Sequence, residues 1–422
     1  MQIKSDWKNT FHSTFFFSLA ILLGRVTGFF REATIAYFYG ASDQADVLVA
    51  MLTVPDLLIS ILIAGALSLV FIPELTDKSK DTNNVLRQGI LVFGSLSLFL
   101  VALFSFNSES IVRLCFPGFE GAKSTWLSQL LQITIWIFPL TIVSGIVSAH
   151  LQSENKFFVA GIGALIINLS IICGIWLAKD SDSSHKLVGY FLIGGGFLRL
   201  LVQVANLKVG KKGERLFERW YVNADTIKNY ALTILSFGFI LVIPFLARSF
   251  SSHQSSGSVS IINYAIKLIE FSCVFCLSVG VVLYPKLTAR NSDSSYASIF
   301  KFGMATTCCL GFYLCFHMML FHNEIAEIVY GRGKVRESDL LEISNLTYFG
   351  YLLIPIMGVN TYIQKGIYSK RIFSIPLICN LIGLSVFVGA CSYASDTNGQ
   401  IIANMILANG VILACSVLGG AR

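Results

Sequence analysis

Apolar runs of about 20 residues recur from one end of this 422-residue chain to the other, and that repetition constrains the fold more than any single motif. A run of that length spans a bilayer as an α-helix, whereas a membrane barrel would show alternating segments of about 10 residues. With 55% hydrophobic residues, 13% charged residues and a mean hydropathy of +0.70, the chain is too apolar for a soluble domain of this size. The expectation is an all-α integral membrane protein. The first run stays in the membrane rather than serving as a cleaved signal, because it is long, carries Arg25 and Arg31, and is followed at once by another.

Windows of about 19 residues give about twelve transmembrane helices. They fall at 13–38, 46–72, 85–106, 126–149, 157–178, 187–207, 227–250, 258–284, 298–320, 341–364, 372–392 and 400–419. The cations in the connections favour one side by about two to one, with Lys4, Lys78, Arg87, Lys156, Lys286 and Arg371 among the majority. Arg113, Lys123, Lys179, Lys186, Arg332, Lys334 and Arg336 lie on the other. By the positive-inside rule both termini are cytoplasmic, and an even number of spans agrees. The longest basic connector, Lys208 to Arg219, divides six spans from six. The expected organisation is an N-terminal six-helix lobe over 1–207, a basic cytoplasmic linker over 208–226, and a C-terminal six-helix lobe over 227–422. Two such lobes are a common transporter plan, with the substrate path between the halves.

The net charge of +7 is therefore chiefly a topology signal, and a basic inner face also suits anionic membrane lipids. Nucleic-acid binding is excluded as a reading, because aromatics such as Phe15, Phe16, Phe17 and Trp136 sit in apolar runs. Catalytic chemistry has no constellation to rest on. Cys273 and Cys276, and the adjacent Cys308 and Cys309, lie in apolar helical runs, where packing is the expected role. The six histidines form no cluster, and no phosphate-binding loop, serine-hydrolase elbow or dinucleotide fingerprint is present. The glycosylation patterns at Asn168 and Asn345 fall in or beside spans. The expectation is a protein that is not an enzyme and needs no cofactor, with sodium or proton coupling open. The eleventh span offers Asn380 and no acid, which argues against a sodium site there.

Ionisable residues inside spans mark functional sites because a charge at mid-bilayer costs several kcal/mol, by insertion scales about 3. The first two spans hold several: Arg25, Arg31, Glu32, Asp46 and Asp56. The run Gly24-Arg25, Arg31-Glu32, Gly40-Ala41, Ala45-Asp46, Pro55-Asp56-Leu57-Leu58, Gly65-Ala66-Leu67-Ser68 and Phe71-Ile72-Pro73 resembles the N-terminal signature of the MurJ/MviN lipid II flippases, within the multidrug/oligosaccharidyl-lipid/polysaccharide exporter superfamily. Phe116-Pro117-Gly118-Phe119, Asn155-Lys156-Phe157, Gly257-Ser258-Val259-Ser260, Tyr284-Pro285, Gly331-Arg332-Gly333-Lys334 and Tyr368-Ser369-Lys370 extend the resemblance along the chain.

The resemblance implies a flippase of the bacterial cytoplasmic membrane that moves a polyprenyl-pyrophosphate-linked saccharide outward by alternating access. The cargo is lipid II or a related cell-envelope glycan precursor. The substrate-binding cations it implies are Arg25, Arg31, Lys267 and Lys370, with Asp46, Asp56 and Glu32 as gating or structural ion-pair residues. Cations can replace part of the hydration of an anionic head, and the planar arginine fork pairs with phosphate oxygens. Arg25 and Arg31 are six residues apart and share a face only if the helix bends, which Gly24 and Gly28 would permit. Gly28, Gly40, Gly65, Pro55 and Pro244 are the expected points of bending or close packing. A pair of Arg31 with Asp46 or Glu32, and one of Lys267 with Glu270, are the structural alternatives.

The chain also departs from the signature. Ile59 and Ser60 stand where arginines are usual, Ala64 where an acid is usual, and Ile266 where the eighth span usually carries a charge. These losses predict a cavity less suited to lipid II, weak complementation of a lipid II flippase, and a surface-polysaccharide precursor as a competing cargo. Two other classes remain: a cation-coupled multidrug-type exporter of the same superfamily, and a membrane-embedded glycan-processing enzyme.

Overall fold

A computed structural model describes residues 2–63, 71, 75, 81–179, 184–207, 220–221, 224–289, 295–370 and 372–420. The described backbone is helical and contains no strand. In hydrocarbon every backbone N–H and C=O must be satisfied within the segment, and a helix does this without a partner strand. The helices are α1 (Gln2–Tyr39), α2 (Asp43–Ile63), α3 (Thr82–Phe106), α4 (Ser108–Cys115), α5 (Gly121–Thr134), α6 (Ile137–Ser153), α7 (Phe157–Gly161), α8 (Gly163–Ala178) and α9 (Ser184–Ala205). They continue with α10 (Ala224–Ser251), α11 (Ser258–Ala289), α12 (Ser295–Leu320), α13 (His322–Tyr330), α14 (Glu337–Gly350), α15 (Leu353–Ser369), α16 (Ser374–Tyr393) and α17 (Asn398–Gly420).

Helix is present in the described part of each of the twelve expected spans. Among the described residues seven helical segments are long and apolar enough to cross a membrane, or eight if α14 and α15, bent by 43° at Tyr351-Leu352, form one. The run at 157–178 is two helices, α7 and α8, and the run at 126–149 breaks at Ile135-Trp136. The basic linker Lys208 to Arg219 lies outside the described residues.

Polarity is distributed as a bilayer solvent requires. Phe99, Phe106, Trp176, Phe302, Phe312 and Phe316 are among the large apolar side chains left exposed, while Gln88, Ser144, Asn168, Gln203, Asn360 and Asn380 are buried. Buried polar groups find partners in hydrogen bonds that join neighbouring helices. Ser144 pairs with Gln203 at 2.5 Å, and the Tyr221 N–H donates to Gln88 Oε1 at 2.7 Å.

Two compact units divide the chain. The first comprises 1–34, 51–114 and 121–234, and the second 35–50, 115–120 and 235–422. In the first, α9 packs on α8, α6 and α5, and α3 on α6. Its apolar core gathers Phe71, Phe93, Ile142, Ile146 and Val147. In the second, α15 packs against α11, α12 and α17, with α16 against α17. Residues 35–50 and 115–120 come before the linker in sequence, yet their hydrogen bonds are to the second unit's helices. Tyr264 donates to the Gly40 carbonyl at 2.9 Å, and the Gly118 N–H donates to Ser252 Oγ at 3.1 Å.

Candidate functional site

In the first unit the charged residues of α1 and α2 meet around Arg31. Its Nη2 donates to Glu32 Oε1 at 2.7 Å and to Asp56 Oδ2 at 3.2 Å, its Nε to Glu32 Oε1 at 3.2 Å, and its Nη1 to Asn168 Oδ1 at 3.2 Å. Arg31 and Glu32 are buried, whereas the Asp56 side chain is 48% exposed. The Arg31 fork is spent on two carboxylates and an amide, which suits a strut between α1, α2 and α8. Of the structural pairings expected for Arg31, the one with Glu32 forms, and Asp56 adds a second acid.

Gly24 and Gly28 serve close packing. α1 runs as one unbroken helix from Gln2 to Tyr39 through both. A Cβ at Gly24 would stand 2.8 Å from that of Ala164, and one at Gly28 would stand 3.2 Å from Asn168 Nδ2. Asn168 Nδ2 in turn donates to the Gly24 carbonyl at 3.0 Å. Arg25, next to Gly24, is exposed and has no hydrogen bond or ion pair among the described residues.

Asp46, in the second unit, is fully buried and caps α11. Its Oδ2 accepts from the Gly257 N–H at 2.9 Å, and its Oδ1 from the Ser260 N–H at 2.8 Å and Ser260 Oγ at 2.9 Å. A carboxylate there answers the orphan donors and the positive end of the helix dipole. Gly257, at φ 88°, approaches the Ala41 backbone too closely for a side chain, and Gly333, at φ 87°, does the same at Tyr37. These contacts tie the α1–α2 corner to the start of α11 and to the α13–α14 connection.

Lys267 pairs with Glu270 at 2.9 Å, three residues on along α11, which is the structural alternative expected from spacing. Glu270 and Asn409 stand on the wall of a cavity of about 30 Å³, otherwise lined by apolar side chains such as Ile266 and Met357. Ile266, one of the departures, is buried. Lys370 ends α15, exposed, its Nζ 5.7 Å from the Tyr296 ring centroid. Arg25 and Arg31 thus belong to the first unit, Lys267 and Lys370 to the second. Ser60 is half-buried, while the Ile59 side chain and Ala64 lie outside the described residues.

Three buried features escaped sequence reasoning. Gln364 Nε2 donates to Asn380 Oδ1 at 2.8 Å and to Asn360 Oδ1 and Ser416 Oγ at 3.3 Å, so Asn380 belongs to a neutral amide network. Among the described residues no group of three His, Cys, Asp or Glu side chains is placed to hold a metal. Asn168, noticed only as a glycosylation pattern, is the polar hub of α8. Arg199, the sole charge in the run 187–207, was overlooked although that isolation was itself the signal.

A family model described as lipid II flippase MurJ matches residues 35–416. The chain belongs to the MurJ family. Among its MurJ relatives, the probable lipid II flippase of Aquifex aeolicus is 26% identical over 392 residues, covering 90% of this chain and 76% of the relative. The lipid II flippase MurJ of Burkholderia cenocepacia is 24% identical, covering 92% and 80%. A solved structure of lipid II flippase MurJ in an inward closed conformation superposes with a TM-score of 0.85 at 21% identity, covering 96% of this chain and 87% of that one. An inward-facing multidrug resistance transporter of the MATE family superposes at 0.79 with 12% identity and 93% coverage of both, a likeness of fold. The all-helical transporter fold and the MurJ resemblance read from the first two spans are thereby established.

Proposed function

We propose that this chain translocates lipid II from the cytoplasmic to the outer leaflet of a bacterial cytoplasmic membrane by alternating access, as a transporter and without a resident cofactor. The observation that carries this reading is the match of the MurJ family model over 35–416. It ranks lipid II ahead of the surface-polysaccharide precursor that Ile59, Ser60, Ala64 and Ile266 suggested. The polyprenyl tail stays in lipid while the anionic head crosses on cations. Arg25 is the first of these, because it is exposed and unspent, whereas Arg31 is engaged on both sides. Lys370 is exposed at the end of α15 and can receive the head near the cytoplasmic face; Lys267 must first part from Glu270.

An inside-negative potential assists an outward-moving anion by roughly 2.3 kcal/mol per charge per 100 mV, so a head with about two negative charges has a driving force without ATP. Depletion of a host's lipid II flippase, with this chain expressed at a verified membrane level, should leave growth intact. Lysis with the folded protein present would overturn lipid II as the cargo. Both termini and the Lys208 to Arg219 linker are cytoplasmic in this reading. A single cysteine placed in that linker should resist an impermeant thiol reagent in intact cells and react after permeabilisation; labelling in intact cells would reverse the orientation.

A further inference from the structure

Arg199 lies within α9, six residues before its end, and has no hydrogen bond or ion pair among the described residues. It is half-buried, with Nε fully shielded and unpartnered. A charge so placed is costly unless something supplies an anion. Its side chain lies against α8 where Gly163 leaves room, since a Cβ there would overlap the Nε, Cδ and Cζ of Arg199. The lipid-exposed stripe of α9 runs through Phe197, Leu198, Leu201 and Val204. At about 100° per residue, Arg199 is on the opposite face, so it is not placed to snorkel into surrounding headgroups.

The depth of Arg199 follows from the packing. α1 runs parallel to α8, with Gly24 at Ala164 and Gly28 at Asn168, and α9 runs antiparallel, with Gly195 at Ile167 and Arg199 at Gly163. The Gly163-Ala164 level of α8 therefore meets Arg25 on one side and Arg199 on the other. A second route agrees. Arg31 pairs with Asp56 across antiparallel α1 and α2, and Gly189 of α9 stands over Met51 of parallel α2. Counting equal steps from those contacts puts Arg25 level with Leu62 and Leu62 level with Leu200. Ser60, one of the positions where the signature usually has arginine, is within a turn of that level.

We propose that Arg199 is a second binding residue for the diphosphate of the lipid-linked saccharide, acting at the depth of Arg25 and supplying from α9 the guanidinium that α2 lacks at Ile59 and Ser60. The inference rests on the cargo being a polyprenyl diphosphate. The two guanidinium groups, each without a hydrogen bond or ion pair among the described residues, offer their N–H donors to the two phosphates, and bound cargo supplies the charge that neutralises them.

The test uses the purified full chain in nanodiscs, with undecaprenyl diphosphate, undecaprenyl monophosphate and undecaprenol as probes, each measured with and without phosphatidylglycerol in the disc. Wild type should prefer the diphosphate over the alcohol. Arg199→Met should lose about tenfold or more in diphosphate affinity, as expected for a charge-assisted pair, with alcohol binding unchanged. Arg199→Lys should recover part of the loss. The thermal midpoint of the empty Arg199→Met protein should equal or exceed that of wild type, because an unpaired buried charge is removed. Unchanged diphosphate affinity in Arg199→Met, with Arg25→Ala impaired, would overturn the role of Arg199 alone. A lower midpoint with equal losses on all three probes would make it structural, and a loss seen only with phosphatidylglycerol would make it a lipid site. Wild type that does not distinguish the diphosphate from the alcohol would overturn the cargo reading itself.

Discussion

Arg25→Ala should cut translocation of the lipid-linked saccharide at least tenfold while leaving the protein folded in the membrane. The expectation follows from two facts: the residue is exposed, and no described side chain pairs with it. Removing an unpaired cation strands no partner, so stability should hold. What is lost is a charge-assisted contact to a phosphate that has left water, and such contacts are each worth about 1.5 to 3 kcal/mol. Across binding and passage, transport should fall by at least tenfold. Arg25→Lys should recover little, because an ammonium cannot match the planar fork. Transport of lipid II by purified variants in proteoliposomes, at matched protein levels, reads this directly. Full transport by the alanine variant would remove Arg25 from the substrate path.

Glu32→Ala should act through stability. It takes from buried Arg31 the carboxylate that receives two of its hydrogen bonds, leaving half-exposed Asp56 and the amide of Asn168. Breaking one side of a buried pair typically costs about 3 to 5 kcal/mol. A clear fall in the thermal midpoint in detergent is expected. Replacing both members, as Arg31→Met with Glu32→Leu, should cost less than the two single changes together, because neither charge is then stranded. An unchanged midpoint in Glu32→Ala would mean that Asp56 alone suffices for Arg31.

The all-helical membrane character was legible in the sequence because bilayer hydropathy dominates it: among the described residues seven helical segments, or eight with α14 and α15 as one, are long and apolar enough to cross a membrane. One pair within a helix was equally legible, since the i,i+3 spacing puts Lys267 beside Glu270. Partners across helices were not. Nothing local says that Arg31 also meets Asp56 and Asn168, or that Asp46 caps a helix over two hundred residues away, because those choices depend on which helices touch. The breaks inside apolar runs were hidden too. Trp136 and Tyr351-Leu352 carry no glycine or proline of their own, so hydropathy reads straight through them. Of the two roles expected of such glycines, bending and close packing, the structure shows the second at residues 24 and 28, where the missing side chain serves contact with α8.

Asn168 reaches the Gly24 carbonyl with one end of its amide and Arg31 with the other, and it can lie against α1 because residue 28 has no side chain. Positions 28, 31 and 168 are therefore coupled energetically. A Cβ at 28 would stand 3.2 Å from Asn168 Nδ2 and press on that amide, and shortening residue 168 would leave a guanidinium N–H and the Gly24 carbonyl without this partner. A change at any one of the three is therefore felt at the other two, although none of them need ever touch the cargo.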